Sequence, residues 1–215
     1  MSLHFDLFDV QSLMDTEAPC RLMLRYTRVM MGFLLFNERP RHVGVVGLGG
    51  GSIPKYCYSQ LRQTRITVAE ISPQVIALRH GFFIPNDDER FSVVCEDGAD
   101  FVRREQGEFD VLIVDGFDKN GQPPQLCSKQ FYDDCSNALA PDGILVVNIC
   151  ESARSVLISR LRRSFRNRVI VVDGEQGGNT IAFAGKGVIL GHSDEQFATY
   201  ANLIEQAAAS MAGAF

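Results

Sequence analysis

The sequence predicts an α/β fold built on a mainly parallel sheet of seven strands, with helices on both faces and an antiparallel edge strand. Three observations carry that expectation. From Val43 onward, short apolar runs alternate with stretches of helical periodicity, the rhythm of strand–helix–strand units. The run Val43-Gly44-Val45-Val46 breaks into Gly47-Leu48-Gly49-Gly50-Gly51, as a buried strand turning tightly into a helix would. Towards the C-terminus, two apolar runs are separated only by residues 174–179, a hairpin-length connection that reverses the chain at the sheet edge.

The elements follow in order. Residues 3–10 alternate partly between apolar and polar, as a short strand or hairpin does. Residues 22–36 carry apolar side chains at helical spacing and stop near Asn37 and Pro40. Strands are expected at 43–47, 65–70, 91–95, 109–115, 143–149, 169–173 and 180–184. Helices are expected between them at 52–62, with Ser52 as its cap, and at 73–80, 99–105, 128–139 and 152–165. An alanine-rich helix at 200–211 follows. No internal repeat and no linker divides residues 41–215, which read as one domain after a short β/α extension over residues 1–40. Five helical connections followed by a terminal hairpin resemble the layout of class I AdoMet-dependent methyltransferase-like (Rossmann-like) enzymes.

Composition narrows the function classes. With 215 residues, 46% hydrophobic and 22% charged, the chain can bury a sizeable core and is not disordered in bulk. No apolar run approaches the ~18 residues of a membrane span, and the N-terminus lacks the basic-then-apolar order of a secretory signal. A cytoplasmic location without a membrane partner is the expectation. The net charge of -5 argues against a nucleic-acid partner. The arginine-rich stretch from Arg160 to Arg168 reads as the solvated face of an amphipathic helix. Six scattered cysteines form no C-x-x-C pair and have no clustered histidines, so no metal site is expected.

In an open parallel sheet the ligand lies beyond the carboxyl ends of the strands. Four such ends deliver polar groups here: the turn with Gly47, Gly49 and Gly51, then Glu70, then Asp97-Gly98, then Asp115-Gly116. Each alone could be a turn or a helix cap. Acidic residues closing successive apolar strands at one edge point instead to a binding crevice. Glu70 stands 19 residues after Gly51, near the spacing of a ribose-binding carboxylate. A dinucleotide fingerprint would need glycine at position 52, where Ser52 stands, so a single nucleoside is favoured. Asp115 and Asp118 open a loop rich in glycine and proline that ends at Phe131-Tyr132, suitably placed for a lid.

These motifs, in this order, resemble the spermidine/spermine synthase (polyamine aminopropyltransferase) family. That family has G-G-G-D-G-G, V-E-I-D, D-G-x-x-F, D-x-x-D-P and a later F-Y. The chain offers Gly47 to Ser52, Ala69-Glu70-Ile71-Ser72, Asp97-Gly98-Ala99-Asp100-Phe101, Asp115-Gly116-Phe117-Asp118 and Phe131-Tyr132. Tyr26 is similar in placement to the family's Tyr-Gln-Glu-Met element, and residues 178–183 to its late strand. The resemblance implies a transfer of an aminopropyl group from decarboxylated AdoMet, or a related sulfonium nucleoside, to a small-molecule amine acceptor. It implies that Gly47, Gly49, Gly51, Glu70 and Ile71 bind the nucleoside, with Glu70 on the ribose and Asp97 and Gly98 on the adenine. It implies that Asp115 joins them in binding the nucleoside, and that it also orients the amine and helps remove its proton, assisted by Asp118 and Tyr26. A homodimer and no metal are implied as well.

The chain departs from the family pattern at Gly50, where the family has aspartate, at Ser72, and at Lys119, where the family has proline. The family's aromatic, proline-rich acceptor contacts are not found in residues 171–176. Two other readings therefore stay open: an AdoMet-dependent methyltransferase and a non-catalytic nucleoside-binding homologue.

Overall fold

The computed structural model describes residues 1–4, 10–118, 121–173, 179–187 and 193–213. Strands β1 (Ser2–His4) and β2 (Val10–Leu13) pair antiparallel; of residues 3–10, expected to form a short strand or hairpin, 5–9 lie outside the described residues. Helix α1 (Arg25–Met30) follows and tightens into a 3-10 turn over Met31–Leu35. One helix was expected over that stretch. The tighter winding begins where Met31, Gly32 and Phe33 are buried, in contact with the C-terminal helix.

Strands and helices then alternate: β3 (His42–Val46), α2 (Ser52–Gln60), β4 (Arg65–Glu70), α3 (Pro73–Ala77), β5 (Phe91–Cys95) and α4 (Gly98–Arg104). They continue as β6 (Phe109–Val114), α5 (Lys129–Ala138), β7 (Leu139–Ile149), α6 (Arg154–Ser164), β8 (Val169–Val172), β9 (Thr180–Gly185) and α7 (Asp194–Gly213). All seven expected strands of the main sheet are present, in the order β5-β4-β3-β6-β7-β9-β8. The antiparallel strand is β9, and it is not the edge strand. It lies between β7 and β8, antiparallel to both, so the edge strand β8 runs with the parallel set. β9 is buried along its whole length, and β8, four residues long, ends the sheet beside it.

Period-two alternation divides the core into two layers. Val43, Val45, Ile66, Val68, Val111 and Ile113 face α1, α2 and α7 on one side. Val46, Ala69, Leu112, Val114, Leu145 and Val147 face α4, α5 and α6 on the other. The N-terminal hairpin joins the first layer through Met14. The chain runs β3, β4, β5 in one direction and crosses to β6 on the opposite side of β3. The crevice of an open α/β sheet opens at such a reversal, here between the carboxyl ends of β3 and β6.

Candidate functional site

A cavity of about 270 Å³ sits at this reversal. Its walls include Gly47, Gly49, Glu70, Ile71, Asp97, Gly98, Asp115 and Asp118, together with Pro123 to Leu126 from the loop above. Eight of the residues picked out from sequence thus line one cavity. Gly51 does not line it; it is the left-handed residue (φ 69°) that precedes α2. Ser52 was expected to cap this helix, yet it is the first helical residue, and no side chain caps that end.

Gly47 has φ 97°, and a Cβ there would be driven into the Asp115 carbonyl. Glycine is what lets the two strand ends close on each other. Their backbones continue the ladder: Asp115 N–H donates to Val46 O at 2.9 Å, and Gly47 N–H donates to Ala69 O at 2.8 Å.

Glu70 is buried, and both its oxygens accept backbone bonds, from Leu48 N–H at 2.9 Å and Ser72 N–H at 2.8 Å. These bonds fix the carboxylate at the cavity wall and leave each oxygen a further lone pair for a hydroxyl. Asp97 caps α4, its Oδ1 accepting from Ala99 N–H at 2.7 Å. Its Oδ2 accepts from Gln125 Nε2 at 3.1 Å.

Asp115 is enclosed. Asn148 Nδ2 donates to its Oδ1 at 2.8 Å, and the Tyr26 hydroxyl donates to its Oδ2 at 3.4 Å. Burial pushes the Asp115 carboxyl above the usual carboxylate range, while the bonds from Asn148 and Tyr26 pull it back down. Burial, and then the Asp115 charge, push the Tyr26 phenol well above its ordinary value. Tyr26 therefore stays a donor. Asp118 exchanges backbone bonds with Gly121 at 2.8 and 3.1 Å. Lys119 lies outside the described residues.

Asn148 was missed by the sequence reading. It is buried on β7, and its Oδ1 has no hydrogen-bond partner. The signal was present, because Asn148 interrupts the apolar run from Ile144 to Ile149 near its carboxyl end, much as Asp115 closes β6. Ser12 was missed too: its Oγ accepts from Gly50 N–H at 3.0 Å. A Cβ on Gly50 would lie 2.7 Å from Ser12 Cβ and 3.1 Å from the Phe82 ring. The departure at Gly50 thus has a steric reason: the N-terminal hairpin sits against the turn where a side chain would go.

Among the described residues, no group of three or more His, Cys, Asp or Glu side chains could hold a metal. None of their helices is long and apolar enough to cross a membrane. The acid-lined crevice at the switch point defines the class, a Rossmann-like α/β protein of the methyltransferase-like fold. Its fold is similar to a probable spermidine synthase from Corynebacterium glutamicum, with TM-score 0.73 and 21% identity, covering 88% of this chain and 72% of that one. It is also similar to human Methyltransferase-like protein 13 in complex with SAH, with TM-score 0.67 and 21% identity over 86% of this chain and 89% of that one. More specifically, the spermine/spermidine synthase domain model matches residues 23–178, and the chain belongs to that family. The polyamine aminopropyltransferase of Chromobacterium violaceum is 38% identical over 186 residues, 85% of this chain and 71% of its own length.

Proposed function

We propose that this chain is a polyamine aminopropyltransferase, moving an aminopropyl group from decarboxylated AdoMet, or a related sulfonium nucleoside, to a small amine. The observation that carries this reading is the enclosed Asp115, bonded by Asn148 and Tyr26, in the same crevice as Glu70 and Asp97. Glu70 takes the ribose hydroxyls, and Asp97 and Gly98 meet the base. The amine lone pair attacks the carbon bonded to the sulfonium sulfur. As the new C–N bond forms the C–S bond breaks, its electron pair passing to sulfur, and methylthioadenosine leaves. Asp115 Oδ2, held only by the long bond from Tyr26, faces the amine and takes its surplus proton, with Asp118 adding negative charge nearby. Carboxylates around the cavity favour cationic reactants, and alignment of nucleophile and carbon does most of the work.

Residues 1–40 are read as a short extension whose Tyr26 completes the site of a catalytic domain spanning 41–215. The assembly is read as a homodimer and the protein as cytoplasmic, without nucleic acid, membrane or metal as partner. The test is turnover: purified protein with decarboxylated AdoMet and putrescine is expected to release methylthioadenosine. Lack of product with a panel of polyamine acceptors overturns the reading.

A second reading, an AdoMet-dependent methyltransferase, draws on Gly50. With no carboxylate in the glycine turn, nothing at that position repels the carboxylate of AdoMet. Calorimetry separates the two: tighter binding of AdoMet than of its decarboxylated form supports the methyltransferase. Measurable methylthioadenosine binding without product from either donor supports a binding-only homologue.

A further inference from the structure

We propose that Gln125 is a specificity-determining residue that reads the edge of an adenine base together with Asp97. The inference rests on the nucleoside-donor reading above and deepens it. Gln125 belongs to a short 3-10 turn, Pro124–Cys127, at the far end of the loop that starts at Asp115. It lines the same cavity as Asp97, to which it is hydrogen-bonded.

Two features hold it there. Pro123 and Pro124 stiffen the approach, since each ring fixes its own φ. Leu126, buried immediately after, packs where two glycines leave space. A Cβ on Gly116 would lie 2.7 Å from its Cδ1, and one on Gly98 would lie 3.4 Å from its Cδ2. Gln125 is thus presented over the crevice by an anchored neighbour.

The hydrogen bonding gives the specificity. Asp97 Oδ1 is committed to Ala99 N–H, so Oδ2 is the oxygen that meets the loop, accepting from Gln125 Nε2 at 3.1 Å. An amide nitrogen carries two hydrogens, so one remains for a ligand, and a carboxylate oxygen keeps a second lone pair. An acceptor and a donor therefore stand side by side. Adenine presents the complement, an exocyclic amine next to a ring nitrogen that accepts. Hypoxanthine replaces the amine with a carbonyl oxygen, which would face the Asp97 carboxylate, and carries a hydrogen on the neighbouring ring nitrogen, which would face the Gln125 N–H donor. Base recognition also bears on the loop itself, because Gln125 and Asp118 belong to one connection.

Calorimetric titration of the full chain with methylthioadenosine and methylthioinosine tests this. The wild-type protein is expected to bind the adenine nucleoside about 10-fold or more tightly than the hypoxanthine one. Gln125→Ala and the near-isosteric Gln125→Glu are expected to weaken methylthioadenosine binding about 5- to 10-fold and to narrow the preference to the part that Asp97 alone maintains, with the thermal midpoint retained. If both variants weaken the two nucleosides equally, Gln125 is only a structural clasp and the proposal fails. If the wild-type protein binds neither nucleoside, the donor reading itself fails and takes this inference with it.

Discussion

A carboxylate in this crevice is defined less by its identity than by what already holds it. Asp115 keeps one oxygen on Asn148 at 2.8 Å and the other on Tyr26 at 3.4 Å, so the loosely held oxygen is the one left for chemistry. Asp115→Asn is expected to cut turnover by about 100-fold or more while leaving methylthioadenosine affinity near wild type, measured by product release and calorimetry. The Asn148 bond favours the ionised carboxyl, whose burial opposes ionisation. Asn148→Ala removes that support, so the acid limb of the kcat/KM profile is expected to move to higher pH. Glu70 differs, because both its oxygens receive backbone N–H groups. Glu70→Gln turns an amide nitrogen towards one of those donors. It is expected to cost about 1–3 kcal/mol of stability in chemical denaturation, as well as nucleoside affinity.

At the scale of elements, the N-terminal hairpin and the glycine turn act as one unit. Ser12 and Gly50 are 38 residues apart in sequence yet share a hydrogen bond and a steric boundary. Gly50→Ala is expected to destabilise the fold by about 1–3 kcal/mol, because the added methyl meets Ser12 and Phe82. A second change, Ser12→Gly, is expected to recover part of that loss, and a double-mutant cycle in denaturant measures the coupling. The elements themselves were legible wherever an apolar run ended at a polar residue: β3 at its glycines, β4 at Glu70, β6 next to Asp115. Helix lengths were less legible. Residues 73–80 suit a helix, yet α3 stops at Ala77, and the chain turns through Phe83 with φ 53° to bring Phe82 against the glycine turn.

Across the whole molecule, two buried bases shape the response to pH from outside the crevice. His42, at the start of β3, accepts at Nδ1 from Arg65 at 2.9 Å and meets Thr67 through Nε2 at 3.0 Å, an arrangement that needs a neutral ring. Burial, with the Arg65 charge, pushes it from 6.5 down to about 4. The unfolded chain takes up this proton near 6.5 and the folded one only near 4, so stability is lost as pH falls through that window. Unfolding midpoints for His42→Gln should lose this part of the slope. Lys55, buried under Met14 and the Phe82 carbonyl, is pushed by burial from 10.5 down to about 8. Between those values the unfolded chain holds more protons, so Lys55 makes stability rise with pH there, a slope expected to vanish in Lys55→Met. The sequence by itself determined the strand–helix alternation, the acidic strand ends and their order, because side-chain periodicity and turn chemistry are local properties. The family resemblance already implied Tyr26 beside Asp115; only the tertiary structure added Asn148 and the bonds that close the site. Tyr26 lies 89 residues from Asp115 and Asn148 lies 33, contacts that exist because β6 sits between β3 and β7 while α1 packs across the sheet. It also decided why position 50 is glycine, since the obstacle to a side chain there belongs to a hairpin that no local pattern ties to the turn.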